Sequence, residues 1–443
     1  MESIESFFKI KERGSTVGTE VIGGLTTFLA MAYIIAVNPT FLAAAGVPFN
    51  AALTATCFGA ALMTIVMGLV ANRPLALASG MGVNAIVAFT LCGATGLGVD
   101  WRVAMAVVFL EGVVITILVV CGLRKAIMDA IPVSLRLAIG IGIGLFIAFI
   151  GLKGGGIIVS DQSNLLGLGD LKSPTCIVSL VSILVAVILT ALDVKGGLLI
   201  AIVVATIVGI PLGVTALPTN WNFGLDFSAF AAPFQTDPQT GSMAIIQVFV
   251  TPALLLFVFS LLMSDFFDTM GTVVAVGKQA DFVDEKGDIA DIQPILMVDS
   301  VAAAVGGFVG ASSITTFVES TSGASAGART GFSNIVIGIL FVVFAFFAPI
   351  VGMVSSAATC GALTVVGYLM MTNIGDIDWT RIEDAFPAFI TIVAIPFTYS
   401  ITNGIGLGFI SYCIIKTVKG EARDVKPLMW VAAAAFLVMF VLQ

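Results

Sequence analysis

Histidine is absent from all 443 residues, charged side chains make up only 10% of them, and the six cysteines form no CxxC pair. Each absence excludes a class of chemistry. Without His there is no Ser-His-Asp triad, no HExxH zinc site and no His-ligated haem, so proton chemistry falls to carboxylates. Cys57, Cys92, Cys121, Cys176, Cys360 and Cys413 are scattered, all but Cys360 well inside apolar stretches, and read as small hydrophobes. No basic tail or aromatic-basic patch points to nucleic acid. Neither a metal nor a cofactor is expected. The net charge of −8 says little about partners, because several of the acids lie inside apolar runs.

What is present in excess is apolar surface. The chain is 59% hydrophobic, against roughly 45–50% in soluble domains, and is read as an integral membrane protein. A helix crosses a hydrocarbon core of about 30 Å with about 20 apolar residues. Apolar stretches at 20–37, 51–70, 74–93, 103–122, 135–152, 176–192 and 197–214 make seven spans, and a second seven follow at 247–277, 294–309, 314–328, 332–354, 357–373, 385–401 and 404–418. A last stretch, 428–442, is read either as a fifteenth span or as an interfacial helix. The opening MESIESFFKIKERG lacks the pattern of a signal peptide and is expected to be a cytoplasmic tail. With that orientation 16 of the 19 Lys and Arg fall in cytoplasmic segments, leaving Arg102, Lys153 and Lys172 outside, as the positive-inside rule requires.

Seven is odd, so related halves must lie in opposite orientations, the inverted repeat of secondary transporters. Short turns join the last two spans of each half, DVKGG at 193–197 and TNGIG at 402–406. The third segment of each half is unusual. PLALASGMGVNAIVAF (74–89) and SSITTFVESTSGASAGARTGF (312–332) are rich in Gly and Ser, with Asn84 and Glu319 near mid-membrane. Such clusters permit a break from helix to extended chain, tolerated at this depth only where it lines a cavity or is buried in protein. Two facing broken segments are the best sequence pointer to a substrate site.

An acid near the bilayer centre costs at least a few kcal/mol and needs a reason. In SDFFDTMGT (264–272), Asp268 shares a helical face with Thr272, and Asp268 is favoured over Asp265 as a site residue. Glu319 is placed at the start of a half helix, whose free amides favour an acceptor nearby. Glu111 and Asp299 are expected to pair with Lys, Arg or backbone between helices, with Asp299 also open to a place in a proton path. Arg329 is expected to neutralise the C-terminal end of the tenth segment. AIGIGIGLF (138–146) lacks the strand of a nucleotide-binding motif and is read as close helix packing through small residues.

GGLTTFLAMAYIIAVNP (23–39), SGMGVNA (79–85), SDFFDTMGT and TTFVESTSGASAGARTG (315–331) together carry a resemblance that covers nearly the whole chain. The sequence resembles the AzgA-like adenine, guanine and hypoxanthine permeases of the nucleobase:cation symporter superfamily. The resemblance implies an all-α integral membrane fold of about 14 transmembrane spans as two inverted repeats, with short strands in the broken third and tenth spans. It implies a core domain (1–133 and 246–356, spans 1–4 and 8–11) and a gate domain (134–215 and 357–443, spans 5–7 and 12–14). By motif position Asp268 and Glu319 match the acids that bind nucleobase, and Asn84 and Asp299 match other polar positions that the branch uses. FVES, where an aromatic-Ile-Glu-Ser is more usual, leaves the order of purine preference open.

The expected function is import of purine nucleobases by proton symport with alternating access, in the cell membrane and as a multi-pass protein. Purines present N–H donors and ring acceptors: Asp268 and Glu319 accept from the donors, broken-segment amides serve the acceptors, and Phe317, Phe267 or Phe266 pack on the ring. Glu319, Asp268 or Asp299 carries the proton, because burial disfavours the charged form and protonation creates a donor. The residues do not choose between a monomer and a homodimer, or between H⁺ and Na⁺. A uracil- or xanthine-type symporter is the alternative on the same fold. An intramembrane aspartyl enzyme is far less favoured, since Asp265 and Asp268 at i and i+3 diverge around one helix, and no enzyme activity is expected.

Overall fold

Length and polarity decide which apolar runs fold into long helices. In the computed structural model of the chain the described residues are 2–93, 96–122, 131–161, 165–218, 221, 223–282, 289 and 292–442, with the side chains of 2–4, Phe267, Lys278 and Leu442 outside the description. The first apolar run is two helices, α1 (Val17–Met31) and α2 (Ile34–Ala44), separated at Ala32 and Tyr33. Then come α3 (Phe49–Val70), strand β1 (Leu77–Ser79), and α4 (Met81–Ala85), which runs on into a π turn at Ile86–Leu91. Helices α5 (Trp101–Val120), α6 (Val133–Gly154), α7 (Pro174–Ala191) and α8 (Gly197–Gly209) complete the first half. The second half holds α9 (Pro252–Gln279), α10 (Ile292–Val309), a strand at Ile314–Thr316, α11 (Ser320–Ser325), α12 (Phe332–Ala345), α13 (Ser356–Met371), α14 (Ile382–Phe397), α15 (Ile401–Val418) and α16 (Pro427–Leu442).

Among the described residues nine helices are long and apolar enough to cross a membrane, with α1 and α2 taken as one. The apolar stretches at Met81–Leu91, Gly197–Gly209, Phe332–Ala345 and Pro427–Val441 form shorter helices. Two features depart from the sequence reading. A rim hairpin, β2 (Ile158–Asp161) with β3 (Leu165–Leu168), follows α6 where no strand was expected. The last turn lies at Thr398–Ser400 rather than at TNGIG, because the Ser400 hydroxyl accepts from Asn403 N at 3.3 Å and so starts α15, placing 402–406 inside the helix.

The helices pack in two groups. In one, α5 lies on α10 and α3 on α12; in the other, α6 lies on α13 and α14, and α7 on α8 and α13. The small-residue reading of AIGIGIGLF holds: a Cβ at Gly144 would stand 2.6 Å from Met370 Cβ, so α6 and α13 approach with no side chain between them. Tyr399, at φ 54°, sits where the groups meet. Its ring is edge-on to Phe89 of the π turn and to Phe146 of α6, with Lys153 Nζ 4.6 Å from its centroid.

Candidate functional site

The two broken segments pair at the centre of the first group. Calling Ile314–Thr316 β4, the antiparallel register is Leu77 with Thr316, Ala78 with Thr315 and Ser79 with Ile314. Three residues of ladder are marginal alone, and side chains extend them. Gly80 N donates to Ser313 O at 2.8 Å and Phe317 N to Ala76 O at 2.9 Å, while Ser320 Oγ accepts from Ala76 N at 2.9 Å. From α3, Thr64 Oγ1 donates to Leu77 O and accepts from Leu77 N, at 2.8 and 2.9 Å. Extended backbone away from water must be satisfied by protein, and these hydroxyls do it.

Asp299, fully buried on α10, anchors the other strand. One carboxylate oxygen accepts from Thr269 Oγ1 at 2.7 Å; the other accepts from Thr315 Oγ1 and Thr316 N, both at 3.2 Å. The sequence reading expected Lys, Arg or backbone as partner; the backbone is here, joined by two threonines. Asp265 is buried and accepts from Ser313 Oγ at 3.4 Å, again on the strand side.

Glu319 is the N-cap residue of α11, and its side chain takes no capping bond from that helix. Its Oε1 instead accepts from the Tyr33 hydroxyl at 2.7 Å. Tyr33 is buried at the junction of α1 and α2. At the far end of α11 the Arg329 guanidinium donates to Ala324 O and Ala328 O at 2.6 and 2.9 Å, as expected of a cation at a helix C-terminus. Glu20 of α1 accepts from Arg329 N and Thr330 N, at 2.8 and 3.3 Å, and holds the turn that follows.

Asp268 lies within electrostatic range of Glu319, Asp299 and Tyr33. It is exposed, although Asp265, Phe266 and Thr269 beside it are buried. One turn on, Gly271 is exposed too, with no atom within 4 Å of where a Cβ would stand. On α11 Val318 is exposed and Glu319 and Ser322 half-buried. Asp268 thus reaches accessible surface where α9 packs against α11, with exposed or half-buried residues on both helices.

The other expected site residues fall as follows. Thr272 is buried one turn beyond Asp268, Phe317 is buried at the end of β4, and the side chain of Phe267 lies outside the described ones. Asn84 on α4 is fully buried, and neither of its amide atoms has a hydrogen-bond partner among the described residues. Glu111 is fully buried on α5. Sequence reasoning missed Tyr33. Its signal was one hydroxyl-bearing aromatic inside the otherwise apolar LAMAYIIAV. Two surface clefts lie elsewhere: one of about 330 Å³ is lined by Phe109, Phe308 and aliphatic neighbours, another of about 260 Å³ by Phe58, Phe227 and Phe230. Neither includes Asp268 or Glu319.

Paired strands inside a helical membrane protein, each feeding a half helix beside buried carboxylates, define the class as a membrane transport protein. The fold is shared with the transmembrane domain of a cyanobacterium bicarbonate transporter, BicA, at a TM-score of 0.63 and 17% identity, over 87% of this chain and 96% of that one. A family described as "Permease family" matches residues 18–407, and the chain belongs to it. Adenine permease AdeP of Escherichia coli (strain K12) is 39% identical over 438 residues, 99% of this chain and 96% of its own. Guanine/hypoxanthine permease PbuO of Bacillus subtilis (strain 168) is 40% identical over 442 residues, 98% of this chain and 100% of its own. The protein is thus a multi-pass permease of the nucleobase type and not an enzyme, as the motif resemblance implied.

Proposed function

We propose that the protein imports purine nucleobases, adenine, guanine or hypoxanthine, across the cell membrane by proton symport. The observation that carries this is the placement of Glu319 at the start of a half helix, within electrostatic range of Asp268 on the neighbouring α9. Two carboxylates repel an anion and suit the N–H edge of a neutral purine. In this reading Asp268 and Glu319 accept from the base, amides of the broken segments and Asn84 serve its acceptors, and Phe317 and Thr272 shape the pocket. The full-length purine permeases among its relatives support the choice of solute.

The architecture in this reading is fourteen spans in two inverted repeats, with the N-terminus cytoplasmic. The core domain is 1–133 with 246–356, and the gate domain is 134–215 with 357–443. The two helix groups support that division. Alternating access moves one group against the other, with Tyr399, packed on Phe89 and Phe146, at the seam between them. Proton coupling falls to Glu319 or Asp268. Asp299, buried and bonded to the Thr269 and Thr315 hydroxyls, is the third candidate to carry the proton.

The test is uptake of radiolabelled adenine, guanine and hypoxanthine in a strain lacking its own permeases, with and without a pH gradient. Accumulation that collapses with a protonophore and is competed by unlabelled purines is the expected result. Competition by uracil alone, or accumulation indifferent to the gradient, overturns the solute or the coupling respectively.

A further inference from the structure

The first apolar run tightens where α1 passes into α2: Ala32 and Tyr33 keep right-handed helical angles, and Ile35 N and Ala36 N donate to Ala32 O and Tyr33 O, three residues back, both at 3.1 Å. On this continuous helical path Tyr33 is buried, 2% exposed, and its hydroxyl meets Glu319 Oε1 across 286 residues of sequence. Glu319 needs such a partner. It has three side-chain torsions, sits half-buried at the mouth of a six-residue helix, and does not cap that helix. A carboxylate left to sample its rotamers pays their entropy when it binds.

We propose that Tyr33 is a positioning residue of the substrate site: its hydroxyl holds the Glu319 carboxylate in the orientation in which it accepts from the substrate. The inference rests on reading Glu319 as a substrate acceptor. It makes the α1–α2 junction part of recognition, because α11 packs against α1 and the hydroxyl reaches Glu319 only while α1, α2 and α11 keep this arrangement. Phe at position 33 would fill the same space and lose only the hydroxyl.

The experiment uses the purified full chain and two readouts. Difference infrared spectra on changing pH give the carboxyl band of Glu319, identified by its loss in Glu319→Gln. Equilibrium binding of radiolabelled adenine and hypoxanthine gives affinity. Tyr33→Phe is expected to move the Glu319 band and to weaken binding about tenfold, as loss of a hydrogen bond to a charged group implies. In the Glu319→Gln background the same change is expected to have less than half that effect on a logarithmic scale, because the partner is already gone. 3-Fluorotyrosine at position 33 keeps the fold and is expected to move the same band, which covers the case in which Tyr33→Phe does not fold. A Glu319 band unmoved by either replacement overturns the proposal, as does a Tyr33→Phe loss that is equal in both backgrounds. Full purine affinity in Glu319→Gln overturns the reading of Glu319 itself, a result separate from the first two.

Discussion

The two broken segments share a backbone plan and differ in their chemistry. Each is a three-residue strand feeding a half helix, and each strand is held by a hydroxyl or carboxylate from a neighbouring helix. The third segment carries no acid: its polar residue is Asn84, fully buried, and its half helix runs on into a π turn against the aromatic cluster of Tyr399. The tenth carries a half-buried Glu319, within range of Asp268, and a short helix capped by Arg329. In the proposed reading one fold element serves once as a neutral wall and once as a charged contact. Pairing fixes where the segments lie, and Asn84 within one half helix and Glu319 at the start of the other distinguish them.

The sharpest way to break this comparison is to remove charge from one segment and polarity from the other. Glu319→Gln is expected to cut the initial rate of purine uptake about a hundredfold, and Asn84→Ala about tenfold, in radiolabelled uptake matched for membrane expression. Equal losses would end the distinction between charged contact and neutral wall. Next in size are the anchors. Asp299→Leu strands two hydroxyls and the Thr316 amide and is expected to cost about 3 kcal/mol, while Thr64→Val strands one amide and one carbonyl of β1 and costs about 2 kcal/mol. Thermal unfolding of the purified protein orders them. A smaller asymmetry concerns close approach. A Cβ at Gly323 would overlap Thr27 Oγ1 and the Gly23 carbonyl, whereas one at Gly82 would meet only the ends of flexible side chains, Ile143 Cγ2 at 3.1 Å first. Gly323→Ala is expected to lower uptake several-fold and Gly82→Ala by less than twofold, measured in the same assay.

The smallest effect lies outside both segments and serves as their reference. At the start of α14, ahead of the apolar run 385–401, Glu383 accepts from Lys419 Nζ at 2.9 Å and from Arg381 at 3.0 and 3.2 Å. The Lys419 ammonium first, then backbone and the Arg381 guanidinium, hold its carboxyl at about 2, below an unfolded value of about 4.3. Its contribution to stability is complete above the unfolded value and is lost as pH falls through the folded one. The melting temperature should therefore decline between pH 4 and pH 2, with a shallower decline in Glu383→Gln. A decline of equal slope in both proteins would place the acid sensitivity elsewhere, at the central carboxylates.

Both breaks that frame the candidate site were legible from residue type alone. Gly and Ser at membrane depth marked both breaks, because a segment without helical propensity must find its hydrogen bonds elsewhere. Glu319 stood out because nothing in an apolar span explains a Glu. The tightening at Ala32 and Tyr33 was not legible, since Ala-Met-Ala-Tyr-Ile-Ile is a fair helix sequence, and neither was the bond from Tyr33 to Glu319, which only the fold brings together. The partners of Asp299 were legible in kind, as something buried that donates, but not as threonines, whose hydroxyls have no sequence pattern marking them as donors. The turn before α15 was misplaced by four residues because glycines drew the reading to 402–406, whereas a capping serine fixed the helix start at 400–401.

The three-residue ladder between β1 and β4 also governs how the gene can change. Strand side chains alternate faces, so deleting one residue between Ser313 and Val318 would reverse every face of β4 and swing α11 by about 100° about its axis, carrying Glu319 away from Tyr33. Point changes at the centre can be graded and selected; changes in length there cannot. Among the described residues β2 and β3 form a sheet of two strands apart from β1 and β4, so insertions and deletions among descendants of this chain should collect there, and alignments of them should stay ungapped from Ser313 to Val318.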